Sequence, residues 1–117
     1  MNMLKRTIFW TEHSKIKMRQ YGLSRSKLLN IMHKPQRKEQ GIVPDTTAVM
    51  QTRKVYTSLR ALALRKTPSV PPGEIWLMYK DVKEVRTVIS AWRYPGISKP
   101  GEHIPIPEDI KRELLTV

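Results

Sequence analysis

Two side chains that can move protons and contact phosphate stand one helical turn apart near the start of the chain. His13 and Lys17 are separated by four residues within a segment, residues 12–21, that the sequence predicts to be helical. Histidine exchanges a proton near neutral pH, and lysine or arginine stabilises the charge that builds on a phosphate during its transfer. With Arg53 and Arg93 these residues form the candidate catalytic set. They fit cleavage of RNA by its own 2′-hydroxyl group, which needs cations and a proton shuttle but no metal ion.

Each of these side chains also has a purely structural interpretation. His13 can be a helix-start residue packed against Trp10 and solvent, and Lys17 can belong to a solvated helix face. The basic neighbours of His13 would favour the neutral imidazole that accepts a proton. Arg93 stands where the last predicted strand meets a loop, a common position for functional side chains. The sequence leaves both interpretations open.

Other enzyme chemistries find less support. The three histidines, His13, His33 and His103, do not have zinc-ligand spacing, and the chain has no cysteine. Asp45 and the segment Asp81-Val82-Lys83 imitate the carboxylate and lysine pattern of metal-dependent nucleases, but they stand where tight turns are predicted. The glycines are isolated, and no Ser, His, acid pattern points to acyl transfer. We therefore expect no metal and no cofactor.

A large excess of positive charge indicates a polyanionic partner. The chain has 22 Lys and Arg against 10 Asp and Glu, a formal net charge of +12. The excess lies in the N-terminal half and the middle, whereas residues 95–117 carry more acids than bases. We expect RNA or the ribosome as partner, ahead of DNA. The predicted nucleic-acid contacts are cations and one tyrosine: Lys34, Arg37, Lys38, Lys54, Arg60, Arg65, Lys66, Arg86 and Tyr94.

Membrane association is not expected. No segment has the length and apolar character of a signal peptide or a membrane span, and no basic amphipathic helix has a broad apolar face. The sequence therefore predicts a cytoplasmic protein, and it does not indicate the oligomeric state.

The elements that must position these residues follow from local patterns. Thr7 to Trp10 reads as a strand, Thr11 caps a helix that ends at Gly22, and Ser24 caps a second helix that Pro35 terminates. Ser14, Met18 and Tyr21 share the inward face of the first helix.

Four strands are predicted after the two helices. Residues 41–43 and 46–52 form a hairpin around Pro44-Asp45, and residues 74–80 and 84–94 form a second one. Residues 54–73 are predicted to be a mobile insertion loop, and residues 95–117 an extended proline-rich tail with a short helix. Residues 1–117 thus form a single α+β domain: an N-terminal strand and an αα-hairpin packed on a four-stranded, mainly antiparallel sheet, with a short C-terminal helix.

The stretch from Trp10 to Ser24 resembles the opening of a widespread bacterial domain family of unknown function, whose signature is His-Ala, then Arg-Met, then Gly-Ile-Ser. The positions that match in kind are His13, Lys17, Met18, Gly22 and Ser24, whereas Ser14 and Leu23 replace Ala and Ile. That family looks related to the RelE and ParE toxin superfamily of small metal-independent ribonucleases. Residues 86–93 also resemble the final sheet strand of those toxins, which often ends in a basic residue at the active cleft.

The resemblance implies a fold, a site and a partner. It implies two helices on an antiparallel sheet, with His13, Lys17 and Arg93 near the site of a metal-independent endoribonuclease. Such a protein is expected to be the toxin of a toxin–antitoxin pair, with an acidic antitoxin as partner. Two alternatives stay open: a non-catalytic RNA- or ribosome-binding module on the same fold, and a protein-interaction domain that holds a partner strand through residues 54–73 and 104–107.

Overall fold

A five-stranded sheet with helices on both faces organises the described part of the chain, residues 6–52 and 73–115 of a computed structural model. The elements in chain order are β1 (Thr7–Trp10), α1 (Glu12–Tyr21), α2 (Arg25–His33), β2 (Arg37–Gln40), β3 (Thr47–Thr52), β4 (Glu74–Val82), β5 (Val85–Tyr94) and α3 (Glu108–Leu115). The strand order across the sheet is β1-β5-β4-β3-β2. The predicted α+β class is confirmed, as is the short C-terminal helix.

The sheet has one strand more than predicted, because β1 pairs with the sheet instead of packing on it. β1 lies parallel to β5, with Thr7 opposite Val85 and Trp10 opposite Val88. The three other strand pairings are antiparallel. Pairing satisfies the backbone polar groups along one side of β1 and covers the edge of β5, which packing on a face would not do.

The αα-hairpin forms where its capping residues predict it. The Thr11 hydroxyl accepts a hydrogen bond from the backbone N–H of Ser14, and the Ser24 hydroxyl accepts one from Lys27. Gly22 ends α1 with φ of 65°, in the left-handed region that glycine adopts at little cost. Both predicted helices are therefore confirmed.

The first strand of the β2–β3 hairpin was predicted too late in the chain. β2 covers Arg37–Gln40, and residues 41–46 form the connection, in which Asp45 adopts a positive φ of 64°. Ile42 and Val43, which suggested a strand, instead pack against a buried cluster that contains Trp76, Trp92 and Ile110. Their apolar character therefore reflects tertiary contacts and not strand pairing.

The two faces of the sheet carry separate apolar clusters. The helical face, covered by α1 and α2, buries side chains that include Leu28, Ile31 and Leu77. The opposite face, here called the tail face, buries Trp76 and Trp92 beneath the C-terminal segment, and Ile110 of α3 is fully buried there. The two indole rings stack with their centroids 6.2 Å apart and an interplanar angle of 5°.

A β-bulge in β5 sits beside the edge where α1 begins. Met78 of β4 lies opposite Ser90, but the next β4 residue, Tyr79, lies opposite Val88, so Ile89 has no partner on β4. The extra residue shifts the alternation by one position, so Ser90 and Trp92 point to the tail face although Val88 points to the helical face.

The predicted insertion loop lies outside the described residues, apart from Gly73. Gly73 is buried, and a Cβ added there would lie only 2.7 Å from the Tyr94 carbonyl oxygen. No helix in residues 6–52 and 73–115 is long and apolar enough to cross a membrane.

Candidate functional site

His13 and Lys17 lie together at the junction of α1, β5 and α3, where two acidic residues of α3 face them. Lys17 Nζ is 2.9 Å from Asp109 Oδ2 and 3.5 Å from Glu113 Oε1. His13 Nδ1 is 3.1 Å from Glu113 Oε2. Glu113 therefore bridges the histidine and the lysine, and the candidate pair forms a compact polar cluster with the C-terminal helix.

The path of the chain after β1 explains this position. Pairing of β1 with β5 stops at Trp10 and Val88, and Thr11 closes the end by donating both its N–H and its hydroxyl to the Val88 carbonyl. From there α1 runs beside the second half of β5. Its residue Met18 joins the cluster of the helical face, while Tyr21 packs against the clusters of both faces. Lys17 can therefore reach α3 on the tail face.

Lys17 is buried, so its interpretation as part of a solvated helix face is wrong. Its side chain is only 6% exposed, and Nζ also donates to the Gln20 side-chain oxygen at 3.2 Å. Burial by itself lowers the pKa of Lys17, but the hydrogen bonds and attraction of Asp109 and Glu113 outweigh it and raise the pKa overall. The ammonium group correspondingly lowers the pKa of Asp109, chiefly through their hydrogen bond. The amine is thus held protonated and is not a candidate base in this arrangement.

His13 belongs to a serine, histidine and glutamate chain that the sequence did not indicate. Its Nε2 lies 3.2 Å from Ser90 Oγ, while Nδ1 faces Glu113 on the other side of the ring. The spacing matches that of a nucleophile, base and acid, but Ser90 is fully buried, so its oxygen cannot reach a substrate in this arrangement. The sequence suggested basic neighbours for His13, but the charged group in direct contact with its ring is the carboxylate of Glu113, which also contacts Lys17. The imidazole itself is about one-third exposed.

Arg93 lies at the opposite end of α1 from His13. Its Nε donates to the Tyr21 carbonyl at 2.6 Å, and Nη2 donates to the Gly22 carbonyl at 3.2 Å. Those contacts fix the C-terminal end of α1, about 12 Å along the helix from His13. The structure therefore does not bring Arg93 into the polar cluster, and Arg53 lies outside the described residues.

Two of the predicted nucleic-acid contacts are engaged in the structure. Arg37 is buried on β2, with its guanidinium 5.2 Å from the centre of the Trp76 ring. Arg86 makes two hydrogen bonds to Asp81, at 2.8 and 2.9 Å, and lies 4.0 Å from the centre of the Tyr79 ring. Because Asp81 is paired with Arg86, its carboxylate is engaged by an arginine and does not fit the metal-binding role that it would have in a metal-dependent nuclease.

The buried guanidinium of Arg37 organises the segment after β5. It donates to Ser98 Oγ at 2.6 Å, to the Glu102 carbonyl, and to Glu39 at 3.2 Å. Ser98 in turn donates its N–H and hydroxyl to the carboxylate of Glu74. Arg37 therefore secures a loop, and that role accounts for its burial.

The remaining predicted nucleic-acid contacts differ in exposure, and some lie outside the described residues. Lys34 and Lys38 are exposed, and neither forms an ion pair with the residues that the structure describes. Tyr94 is half-buried and packs against the cluster of the tail face. Lys54, Arg60, Arg65 and Lys66 lie outside the described residues.

Sequence reasoning missed Ser90, Asp109 and Glu113, which complete the polar cluster. One signal was present, since residues 95–117 have more acids than bases in a strongly basic chain. Acids in the first turn of a helix also favour its own dipole, so Asp109 gave no separate indication of a distant partner.

Comparisons of this chain with models of protein families, with curated proteins and with solved structures found no match.

Proposed function

We propose that this chain is a cytoplasmic RNA-binding module, and that its exposed cations contact the phosphate backbone. One observation carries the proposal. Among the described residues, most acidic side chains form ion pairs or hydrogen bonds within the chain, whereas many Lys and Arg side chains are exposed and form no ion pair. A surface of this kind attracts polyanions.

Internal pairing of the acids is extensive. Asp109 and Glu113 contact Lys17, Asp81 contacts Arg86, and Glu39 contacts Arg37. Glu74 is only 1% exposed, and its carboxylate accepts hydrogen bonds from the Trp76 indole and from Ser98. These carboxylates leave little negative charge to repel a phosphate backbone.

Several exposed cations lie on or beside the two helices of the helical face. Arg19 is in the last turn of α1, Arg25 begins α2, Lys34 caps its end, and Lys38 follows on β2. Among the described residues, none of these four forms an ion pair; Arg25 lies 5.7 Å from the centre of the Trp10 ring. They are placed to contact a backbone that runs across the helices.

The test is a titration of fluorescent single-stranded RNA with the protein in EDTA over a series of salt concentrations. Each phosphate contact contributes about −0.7 to the slope of log affinity against log salt, so four contacts would give a slope of about −3. The double variant Arg25→Gln/Lys34→Gln should lower both the affinity and the slope. A wild-type slope near zero would contradict the proposal.

A second candidate is a RelE-like metal-independent endoribonuclease, which would act as a toxin restrained by an acidic antitoxin. The observation that favours it is the partly exposed imidazole of His13, oriented by Glu113 and adjacent to the Lys17 ammonium. Because the Lys17 ammonium forms ion pairs with Asp109 and Glu113 of α3, a phosphate would bind it only after α3 has moved away. This candidate therefore includes displacement of α3 by the RNA or by the ribosome.

Cleavage is tested by incubating the protein with total RNA and with translating ribosomes in EDTA, and by mapping new 5′ ends. An endoribonuclease should give cuts that disappear in His13→Ala and persist in His33→Ala, a control histidine at the end of α2. Intact RNA under both conditions, together with salt-sensitive binding, would leave the non-catalytic module as the function.

A further inference from the structure

Part of the tail face is an exposed surface of mixed character. Side chains from β1, β5 and β4 that point to this face form two rows across the strands: Phe9, Thr87 and Lys80 in one, and Thr7, Val85 and Val82 in the other. We call these six residues the open sheet surface. Burial by the C-terminal segment involves the other end of the same strands, near Trp76 and Trp92.

Three large apolar side chains of this surface are exposed to solvent. Phe9 is 57% exposed, Val82 51% and Val85 39%. They come from three adjacent strands of one sheet, so they are neighbours and not scattered single residues. Contiguous exposed apolar area of this kind marks a binding site more often than chance.

The charge around the open sheet surface is positive. Lys80 lies within it, and Lys83 occupies the β4–β5 turn with a positive φ of 56°. Neither lysine forms an ion pair with residues in the described ranges. The turn also contains one acidic residue, Glu84. Asp81 points to the helical face, where Arg86 and Arg6 neutralise it. The two rows therefore hold an aromatic ring, two hydroxyls and one lysine without an acid, and Lys83 lies in the turn beside them.

We propose that the open sheet surface binds single-stranded RNA, with one base stacked on Phe9 and the adjoining phosphates on Lys80 and Lys83. The inference rests on the proposed RNA-binding function and adds a site to it. A ring on an open sheet supplies a face for stacking, and lysines beside it supply contacts to the backbone. A second copy of this basic protein fits the site less well, because the lysines of the site would be buried without acidic partners.

The surface leads to the polar cluster of His13. Thr87 and Ser90 both point to the tail face, and they pair with Lys80 and Met78, which are two residues apart on β4. That separation corresponds to about 7 Å along the strand. RNA that ran from Phe9 along β5 toward Ser90 would therefore pass close to the partly exposed His13, although binding at Phe9 requires no chemistry there.

The experiment compares affinities for a single-stranded RNA and maps the contact directly. Phe9→Ala should weaken binding about tenfold, and Lys80→Gln should weaken it and reduce its salt dependence, without a loss of thermal stability. Ile97→Ala is the matched control, because Ile97 is also 57% exposed but lies after the far end of β5. Photocrosslinking with 5-iodouridine RNA should place adducts on the peptide that contains Phe9.

The outcomes separate the site from the function. Absence of salt-sensitive binding by the wild-type protein would overturn the RNA-binding function itself. Salt-sensitive binding that Phe9→Ala leaves intact, with adducts confined to the helical face, would overturn only the open sheet surface as the site. A change in oligomeric state on Phe9→Ala, with unchanged RNA affinity, would assign the surface to self-association and overturn the inference.

Discussion

Arg37 and Lys38 are neighbours in sequence with opposite environments. Alternation along β2 turns Arg37 into the protein and Lys38 to solvent. We predict that Arg37→Met lowers the free energy of unfolding by about 2–4 kcal/mol, because Ser98 and the Glu102 carbonyl lose their donor. The folded fraction should bind RNA like the wild type. Lys38→Gln should instead keep its stability within about 0.5 kcal/mol and weaken binding.

Urea unfolding and RNA titration of the two variants check this contrast. A stable Arg37→Met with poor binding would show that the guanidinium contacts phosphate after all. Such a result would restore the interpretation that the sequence alone suggested for Arg37.

At the scale of elements, α3 is a short helix whose position depends on tertiary contacts. Eight residues form too few turns to be stable alone in water, so Ile110 in the tail-face cluster and the Lys17 ion pairs must hold α3 in place. We predict that Ile110→Ala costs about 2–4 kcal/mol and loosens α3 before the sheet. Hydrogen exchange should then rise in residues 108–115, and amine-reactive reagents should label Lys17 faster.

Leu115→Ala is the control for this prediction, because Leu115 ends the same helix but is 58% exposed. It should leave both the exchange and the labelling unchanged. Slow labelling of Lys17 in Ile110→Ala, despite a lower global stability, would mean that the helix and the sheet unfold as one unit.

At the scale of the whole molecule, stability should depend on pH mainly at the acidic end. Hydrogen bonds from Lys17 and Arg86 lower the pKa values of Asp109 and Asp81 below those in the unfolded chain. Their contribution is therefore complete above about pH 4 and is lost as pH falls through the folded values. The Lys17 pKa is raised, so its contribution is complete below about pH 10 and is lost only at higher pH.

Urea unfolding measured from pH 2 to 7 checks this prediction. Asp109→Asn should be less stable than the wild type at pH 7, and the difference should shrink as pH falls below about 4. A difference that stays constant across this range would show that the ion pair contributes nothing to the acid sensitivity.

The elements that local patterns determine could be predicted from the sequence. The capping residues Thr11, Gly22 and Ser24 gave the bounds of the hairpin, and the spacing of His13 and Lys17 placed them side by side. Contacts between distant segments could not be predicted. The pairing of β1 with β5, and the position of Asp109 on Lys17, depend on residues far apart in the chain, for which the local pattern holds no signal.

Burial of Arg37 was missed for a different reason. The alternation that turns it inward belongs to β2, but the sequence placed that strand on residues 41–43, where Ile42 and Val43 are apolar. An error of a few residues in a strand boundary thus changed the interpretation of a charged side chain from structural to functional.

The parallel pairing of β1 has a consequence for the order in which the chain folds. Thr7 cannot find its partner until Val85 exists, and the contact between Lys17 and Asp109 spans 92 residues. During synthesis, α1 therefore emerges without the strand beside which it packs or the helix that neutralises its lysine. Closing such long loops is also slow. The N-terminal half of the nascent chain therefore stays without its tertiary contacts, with its basic side chains exposed to the ribosome.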